Sequence, residues 1–557
     1  MKKKNRLIYL PLGGSGEIGM NMYLYGFGFP GKEYFILIDV GVTFPNMSTT
    51  PGVDLIMPDT KFVEENKNRL LGIFITHAHE DHIGALGHLS DRFDVPIYCR
   101  EFTAQIAFSK LNRVKADGKE VAIVKEFPNS VELAPFKISF IPISHSIPEA
   151  SSLLIETPIG FIVHTGDFKI DKTPVLGDPF NEELLLDIKK LNVLALICDS
   201  TNVYSKSPGR SEQSLASEIT QLIKGQSGAV VATTFASNVA RLLTLAKCAQ
   251  SAGRSILVIG RAMQTMISTT SAVGLLKSFP PTISVEDSLE IPRSNLFILA
   301  TGSQGEGRAA SAQLARDKYM DVILQEGDCF LFSSKTIPGN ETSVSKIINE
   351  LTERGISVID DQSDRYHVSG HANRPDLEVL HQILNPKLIV PMHGEHRHMR
   401  EHQLLAQSNG HKSVVVPNGT ILEIASDGSS RVIDKVSTGR IYLDCGQLIS
   451  SNDGIVKTRL QMASRGHISV SLLLEKNIIL NDGVWVKSKG LTADTNSNNE
   501  FEASIEDALE LDLNMLNDRE LYDDDLLENR IQKTVNKVCQ RNIGKKPITT
   551  IFINRVD

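Results

Sequence analysis

The chain has 557 residues, 41% of them hydrophobic and 22% charged, with a mean hydropathy of −0.08 and a formal net charge of −8. These values describe ordinary globular material in roughly three or four domains, and they exclude a fibrous or disordered protein. The negative balance argues against a wholesale, non-specific grip on nucleic acid while leaving room for a local basic channel. No apolar run approaches the ~20 residues that span a bilayer, and the basic opening Met1 to Arg6 leads only into Leu7 to Leu10 before Pro11, so neither membrane insertion nor export is expected. The cysteines at 99, 198, 248, 329, 445 and 539 are scattered without a CxxC pair, which fits buried thiols in a reducing cytoplasm.

The first strand, Leu7 to Leu12, runs into Gly14-Ser15-Gly16-Glu17-Ile18-Gly19, with Asp39 about twenty residues further on; this matches a dinucleotide-binding fingerprint. That fingerprint needs a helix after the glycines. Met20 to Gly31 instead alternates, breaks at glycine and proline, and continues into Phe35 to Asp39, the pattern of hairpin strands, so the nucleotide reading is set aside. Leu71 to Thr76 reads as a buried strand, Ile83 to Leu86 as the opening of a helix, and between them lies His77-Ala78-His79-Glu80-Asp81-His82. In an extended segment His77 and His79 share a face and reach one metal, while Asp81 and His82 can turn to a second. Isolated histidines are usually surface or core residues; three with an aspartate at this spacing form a dinuclear signature.

Further ligand types follow, each just past a strand: His145 after Ile138 to Ile143, and Asp167 after Gly160 to Val163, with His164 expected to be structural. Strand ends at one sheet edge can bring such residues to a common site. Leu196 to Cys198 is an apolar strand ending in Asp199. Ala229 to Ala232 and Ser255 to Gly260 read as parallel strands alternating with helices, ahead of His367-Val368-Ser369-Gly370-His371 and Pro391-Met392-His393-Gly394-Glu395.

The set His77 to His82, His145, Asp167 and Asp39 resembles the metallo-β-lactamase fold, whose members hydrolyse lactams, thioesters, lactones and phosphodiesters. The segments around Asp199, His367 to His371 and His393 resemble the additional motifs of its β-CASP nucleases. Thr233 to Asn238, Gly260 to Met263, Ala300 to Glu306 and Ile337 to Glu341 resemble the ribonuclease J family in particular. The resemblance runs from about residue 7 to the C-terminus. It implies an α/β protein: a metallo-β-lactamase αββα sandwich (1–208, completed by 366–428), an inserted β-CASP α/β domain (209–365), a linker (429–465) and a small C-terminal α/β domain (466–557).

The resemblance also implies roles. One metal would be held by His77, His79 and His145, a second by Asp81, His82 and His393, with Asp167 bridging and Asp39 orienting a ligand histidine from behind. Zn²⁺ suits these donors, with Mn²⁺ a competitor; a further structural Ca²⁺ would leave no readable mark. The ions would activate a water near neutral pH and hold the scissile phosphate, so Asp81 serves catalysis as a ligand. His371 would act as general acid to the leaving 3′ oxygen, oriented by Asp199. His367, Val368, Ser369, Gly370 and His371 would contact substrate phosphates, and Phe235, Ser237 and Asn238 would contribute to a 5′-monophosphate pocket, against helix capping as the plain alternative for Ser237 and Asn238.

The activity so implied is 5′-to-3′ hydrolysis of single-stranded RNA from 5′-monophosphate ends, with internal cleavage as a second mode, in RNA maturation and mRNA decay. The setting implied is cytoplasmic, with assembly as a homodimer or homotetramer and RNA-degradation or ribosome-associated partners. A small-molecule hydrolase would leave the insertion and the His367 to His371 loop without purpose, and a non-catalytic scaffold would be expected to have lost ligands. Downstream, Arg397 to Gln407 reads as a helix, Ser413 to Ile424 as closing strands, and His396, His398, His402 and His411 as solvated or structural. His467 to Val486 suggests a hairpin, 496–500 a polar turn, Glu502 to Glu528 an acid-rich helical region with a solvated face, and Ile548 to Ile553 a last strand.

Overall fold

A computed structural model describes residues 4–116, 118–360, 365–476, 478–492 and 498–556. They form two compact units, residues 1–43 with 57–438 and residues 44–56 with 439–557.

In the first unit the strands Ser430–Lys435, Thr420–Ile424, Arg6–Gly13, Met22–Gly28, Tyr34–Ile38, Leu70–Phe74, Ile97–Cys99 and Val121–Ile123 lie side by side in that order. A second sheet runs Leu388–Met392, Val193–Asp199, Gly160–His164, Ser151–Thr157, Phe136–Pro142, Val131–Leu133. Strand alternation explains why the two pack face to face. Ile138 and Phe140 point between the sheets, where they join Tyr9, Tyr25, Phe74 and Ile197 in one buried core. Ile141 points the other way, with Leu154, Val163 and Leu196, onto Leu185 and Ile188 of the helix Glu182–Lys189 and Leu377 and Leu380 of the helix Arg374–Leu384. Burying one such side chain contributes about 1.5–3 kcal/mol, so each face of the sheet is held in register by several of these contacts.

The third sheet, Thr282–Ile283, Ser255–Ile259, Leu296–Ala300, Val230–Thr233, Cys329–Phe332, Ser357–Ile359, is parallel throughout. Its strands read as unbroken apolar runs because both faces are covered: Val231, Ile298 and Phe330 on one side, Val230, Phe297 and Leu331 on the other.

The glycine-rich stretch near residue 14 leads into the strand Met22–Gly28 and not a helix, as its alternation predicts. Gly14 has φ +81°, and a Cβ there would lie 2.3 Å from Asn21 Oδ1 and from Tyr23 Oη; the glycine serves a tight turn. The helix expected from Ile83 differs: two single turns, Glu80–Ile83 and Leu86–Leu89, flank Gly84, so Asp81 and His82 already lie within the first.

In the second unit, His467–Glu475 pairs antiparallel with Ile478–Lys489 and parallel with Ile548–Val556. Helices Asn498–Leu513 and Asp524–Ile543 bury Ile505, Leu509, Ile531 and Val535 on this sheet. Of their acids, Glu502 is buried and accepts from the Ser488 N–H at 2.7 Å, and Glu506 accepts from the Val486 N–H at 2.8 Å, so the expected solvated face does not take in every acid. The expected turn at 496–500 is replaced from Asn498 by helix, and 496–497 lie outside the described residues.

The linker read at 429–465 is structured. Ser430–Lys435 closes the edge of the first sheet, Arg440–Asp444 and Gln447–Ser450 pair, and Ile455–Arg465 is a helix with no buried residue, which is why no apolar periodicity marks it. Residues 44–56 join this unit: the Asp54 N–H donates to the Leu443 carbonyl at 2.8 Å, and Asp54 Oδ2 accepts from the Cys445 N–H at 3.0 Å. Cys445 is the exposed exception to the expectation of buried thiols. Among the described residues no helix is long and apolar enough to cross a membrane.

Candidate active site

The strand Leu70–Phe74 ends three residues before His77, and its neighbour Tyr34–Ile38 ends one residue before Asp39. Asp39 is wholly buried at φ +60°, where its carboxylate accepts from the Thr76 N–H at 2.8 Å, the Thr76 hydroxyl at 2.9 Å and His82 Nδ1 at 2.7 Å. With Nδ1 turned to Asp39, His82 directs Nε2 inward, 3.2 Å from Asp167 Oδ2 and 2.9 Å from Asn21 Nδ2. Because the Thr76 hydroxyl donates to Asp39, it accepts from His77 Nδ1 at 3.0 Å, so His77 Nε2 carries a lone pair. His145 Nδ1 donates to the Gly370 carbonyl at 2.6 Å, and its Nε2 is bare as well.

Those outward bonds produce an inward arrangement that the protein alone does not satisfy. His77 Nε2 and His145 Nε2 both face His79 Nδ1, at 3.1 and 3.0 Å, and one imidazole nitrogen has at most one proton to give. One donor atom each from His77, His79, His145 and Asp167 lies within 4.8 Å of the others, and the same holds for Asp81, His82, Asp167 and His393. Converging lone pairs with a shared carboxylate are what a divalent cation pair requires, so the residues present fit the two ions.

The local charges agree. Burial pushes His77 and His145 well below the ordinary imidazole value and His79 down to about 4, which leaves neutral donors. Burial opposes charge on His393 too, but Asp167, Asp81 and Asp199 overcome it and raise it to about 10. His82 is raised in the same way by Asp167, Asp81 and Asp39. Positive charge is therefore demanded beside the carboxylates, and a divalent cation supplies it in place of protons.

Beside this set, His371 Nδ1 donates to Asp199 Oδ2 at 2.8 Å, and the His371 ring lies 5.1 Å from that of His145 and 5.6 Å from that of His393, centre to centre. Asp199, at the end of its strand, is fixed by the Thr201 N–H at 2.8 Å. Gly370 must be glycine: a Cβ would stand 2.5 Å from Ser146 Oγ and 3.0 Å from His145 Cε1.

A narrow cavity whose lining includes Ser144, His145, Ser146, Lys169, Asn238 and Ser369, together with the acids Asp171 and Glu212, opens beside these groups. Of the residues expected to contact substrate, Asn238, Val368 and Ser369 line it, while Phe235, Ser237, His367, Gly370 and His371 do not. Asn238 Oδ1 caps the helix Val239–Ser251 by accepting from the Arg241 N–H at 3.0 Å, so its capping role is present. His367 is partly buried, and its carbonyl accepts from Arg210 Nη2 at 2.7 Å.

His164, bonded to the Tyr25 hydroxyl at 2.9 Å, stays outside the ligand sets. His381, His402 and Cys198 also group within 4.8 Å. Here, however, the imidazoles meet Nε2 to Nε2 at 3.0 Å with planes 11° apart, the head-on geometry of one N–H···N bond rather than of two lone pairs sharing an ion. His402, expected to be solvated or structural, is structural.

Sequence reading missed Thr201, Lys169, Arg210 and the buried pair Arg241 and Glu212. A lysine two residues past Asp167 was the one visible hint.

Fold and site define a metallo-hydrolase of the metallo-β-lactamase superfamily with an inserted RNA-directed domain. Family models match in four places: metallo-beta-lactamase superfamily at 18–198, the ribonuclease J beta-CASP domain at 227–351, the Zn-dependent metallo-hydrolase RNA specificity domain at 361–417 and the ribonuclease J C-terminal domain at 454–556. Ribonuclease J of Sinorhizobium meliloti is 38% identical over 558 residues, covering 100% of this chain and 98% of that protein. Ribonuclease J 1 of Streptococcus pyogenes serotype M3 is 34% identical over 83% of this chain and 82% of its own length. A crystal structure of a protein of unknown function from Enterococcus faecalis V583 covers 77% of this chain and 100% of its own, with a TM-score of 0.51 at 17% identity, a likeness of fold. The chain belongs to the ribonuclease J family and is a metal-dependent ribonuclease.

Proposed function

We propose that this enzyme degrades single-stranded RNA from 5′-monophosphate ends in the 5′-to-3′ direction, with His371 as general acid. The observation that carries the reading is the His371 and Asp199 pair standing against two convergent donor sets, with a cavity containing Lys169, Asn238 and Ser369 beside it.

Two divalent ions would be held by His77, His79, His145 and Asp167 and by Asp81, His82, Asp167 and His393; when bound, they activate water and neutralise charge on the entering and leaving oxygens. Imidazole-rich donors favour Zn²⁺, with Mn²⁺ the competitor. The remaining work is done by the chain. Asp39 holds His82 in the tautomer that turns Nε2 inward. Asp199 accepts a hydrogen bond from the Nδ1–H of His371, so the transferable proton sits on Nε2, free to move to the leaving 3′ oxygen. Burial opposes the charged form of His371, but Asp199 and Asp167 hold its value above the ordinary 6.5, which keeps that proton available near neutral pH. Lys169, paired with Asp171 at 2.9 Å, and the Ser369 hydroxyl, which accepts from the His371 N–H at 3.0 Å and keeps its own proton to donate, are the groups that would meet a 5′ phosphate. An end anchored there sets the first internucleotide phosphate at the donor sets. The domain division 1–208, 209–365, 366–428 and 466–557 is part of this proposal, with 44–56 and 429–465 amended as described.

The test is cleavage of a 5′-labelled, 5′-monophosphorylated single-stranded RNA with Zn²⁺ or Mn²⁺, beside His77→Ala and His371→Ala. Labelled mononucleotide from the wild type alone supports the reading. Longer labelled products move it to internal cleavage, and no product with either metal overturns it.

A further inference from the structure

Arg241 is the bulkiest wholly buried side chain among the described residues, and it lies outside the metal set. An unpaired guanidinium could not be buried at tolerable cost; here all its nitrogens are engaged. Nε and Nη2 form a two-pronged pair with Glu212, the Nη2 arm at 2.9 Å. Nη1 donates to the Ser333 carbonyl at 2.6 Å and to its hydroxyl at 3.1 Å, and Nη2 reaches the Val368 carbonyl at 3.4 Å. The Ser333 hydroxyl donates to the Tyr366 carbonyl at 2.6 Å. One buried cation therefore ties the first turn of the helix Val239–Ser251, the end of the strand Cys329–Phe332 and the loop that carries His371.

That loop, residues 365–373, has no helix or strand of its own, so its place is set by side-chain bonds: these on the inserted-domain side, with the buried Val368, and those of Arg210 to the His367 carbonyl and His145 to the Gly370 carbonyl. His371 depends on the placement because its Nδ1 must meet Asp199 while its other nitrogen faces the leaving oxygen, and proton transfer is sensitive to sub-ångström error. We propose that Arg241, paired with Glu212, is a positioning residue: it brackets the His371 loop from the inserted domain and so sets proton delivery to the leaving 3′ oxygen. This rests on the reading of His371 as general acid.

The experiment compares an RNA whose first linkage is ordinary with one carrying sulfur in place of the bridging 3′ oxygen, a leaving atom that needs no proton. The variant is Arg241→Met with Glu212→Leu, which removes both buried charges together and so avoids stranding one. In the bracket account this variant melts near the wild type and binds two metal equivalents. Its kcat at saturating ordinary RNA falls roughly 10- to 100-fold, and the defect shrinks to within about threefold on the sulfur linkage, as it does for His371→Ala. Ser333→Ala, a small change in the same bracket, should show the pattern at reduced size and serves if the double variant does not fold. Unchanged kcat on ordinary RNA, or equal losses on both linkages while His371→Ala still discriminates, overturns the proposal. If His371→Ala loses equally on both linkages, the general-acid reading itself falls, and the bracket with it.

Discussion

Two groups of buried histidines in this enzyme have nearly the same nitrogen spacing and different uses. His77, His79 and His145 approach at 3.0 to 3.1 Å, and His381 and His402 at 3.0 Å. What separates them is the bond each ring makes on its far side. Thr76 and Gly370 take the outer protons of His77 and His145, so bare nitrogens converge on a point with a carboxylate beside it. Behind the second pair the Ser200 hydroxyl meets His402 Nδ1 at 2.9 Å and the His411 ring lies 5.8 Å from that of His381; Cys198 is a thiol that burial holds well above its ordinary value, and among the described residues no carboxylate joins the group. Two imidazoles there need one proton between them, and a hydrogen bond suffices. Residue type and proximity do not make a metal site; tautomers fixed from outside do.

The largest effect expected from breaking this contrast is on the first group. Chelation, or His77→Ala, should reduce RNA cleavage to background, because the ions are what lower the pKa of water from about 16 to about 7; atomic absorption on the dialysed variant, beside the RNA assay, checks it. Next in size, His371→Ala should retain both ions and lose about 10²- to 10⁴-fold in kcat, read in single-turnover cleavage. Asp39→Asn removes the carboxylate that fixes the His82 tautomer and should weaken metal affinity by about 10- to 100-fold, measured by competition with a chelating dye.

The smallest effect concerns the second group. Burial depresses His402 to about 4 and His381 well below its ordinary 6.5, so the unfolded chain takes up protons before the folded one does. Their contribution to stability is complete above pH 6.5 and is lost as pH falls toward 4. His381→Leu with His402→Leu should therefore narrow the drop in melting temperature between pH 7.5 and pH 5 while metal content and cleavage stay at wild-type levels.

What could be seen in the sequence follows the same logic. His77 to His82 sits at one strand end, so local spacing displayed the cluster, and His145, Asp167 and Asp199 each follow an apolar run that marks a strand. Tautomers could not be read, because the partners of His145 and His82 lie 225 and 43 residues away. The Arg241 and Glu212 pair was hidden for another reason: a buried charge inside a helix resembles a solvated one until its partner is known. Residues 44–56 and 439–465 were obscure because few of their side chains are buried, leaving no alternation to detect.

The most direct test of the contrast is anomalous diffraction from crystals grown with Zn²⁺, recorded on either side of the zinc edge. The account predicts two peaks, one among His77, His79, His145 and Asp167 and one among Asp81, His82, Asp167 and His393, with none between His381 and His402. A peak beside His381 and His402, or an empty site at His77, His79 and His145, would contradict it.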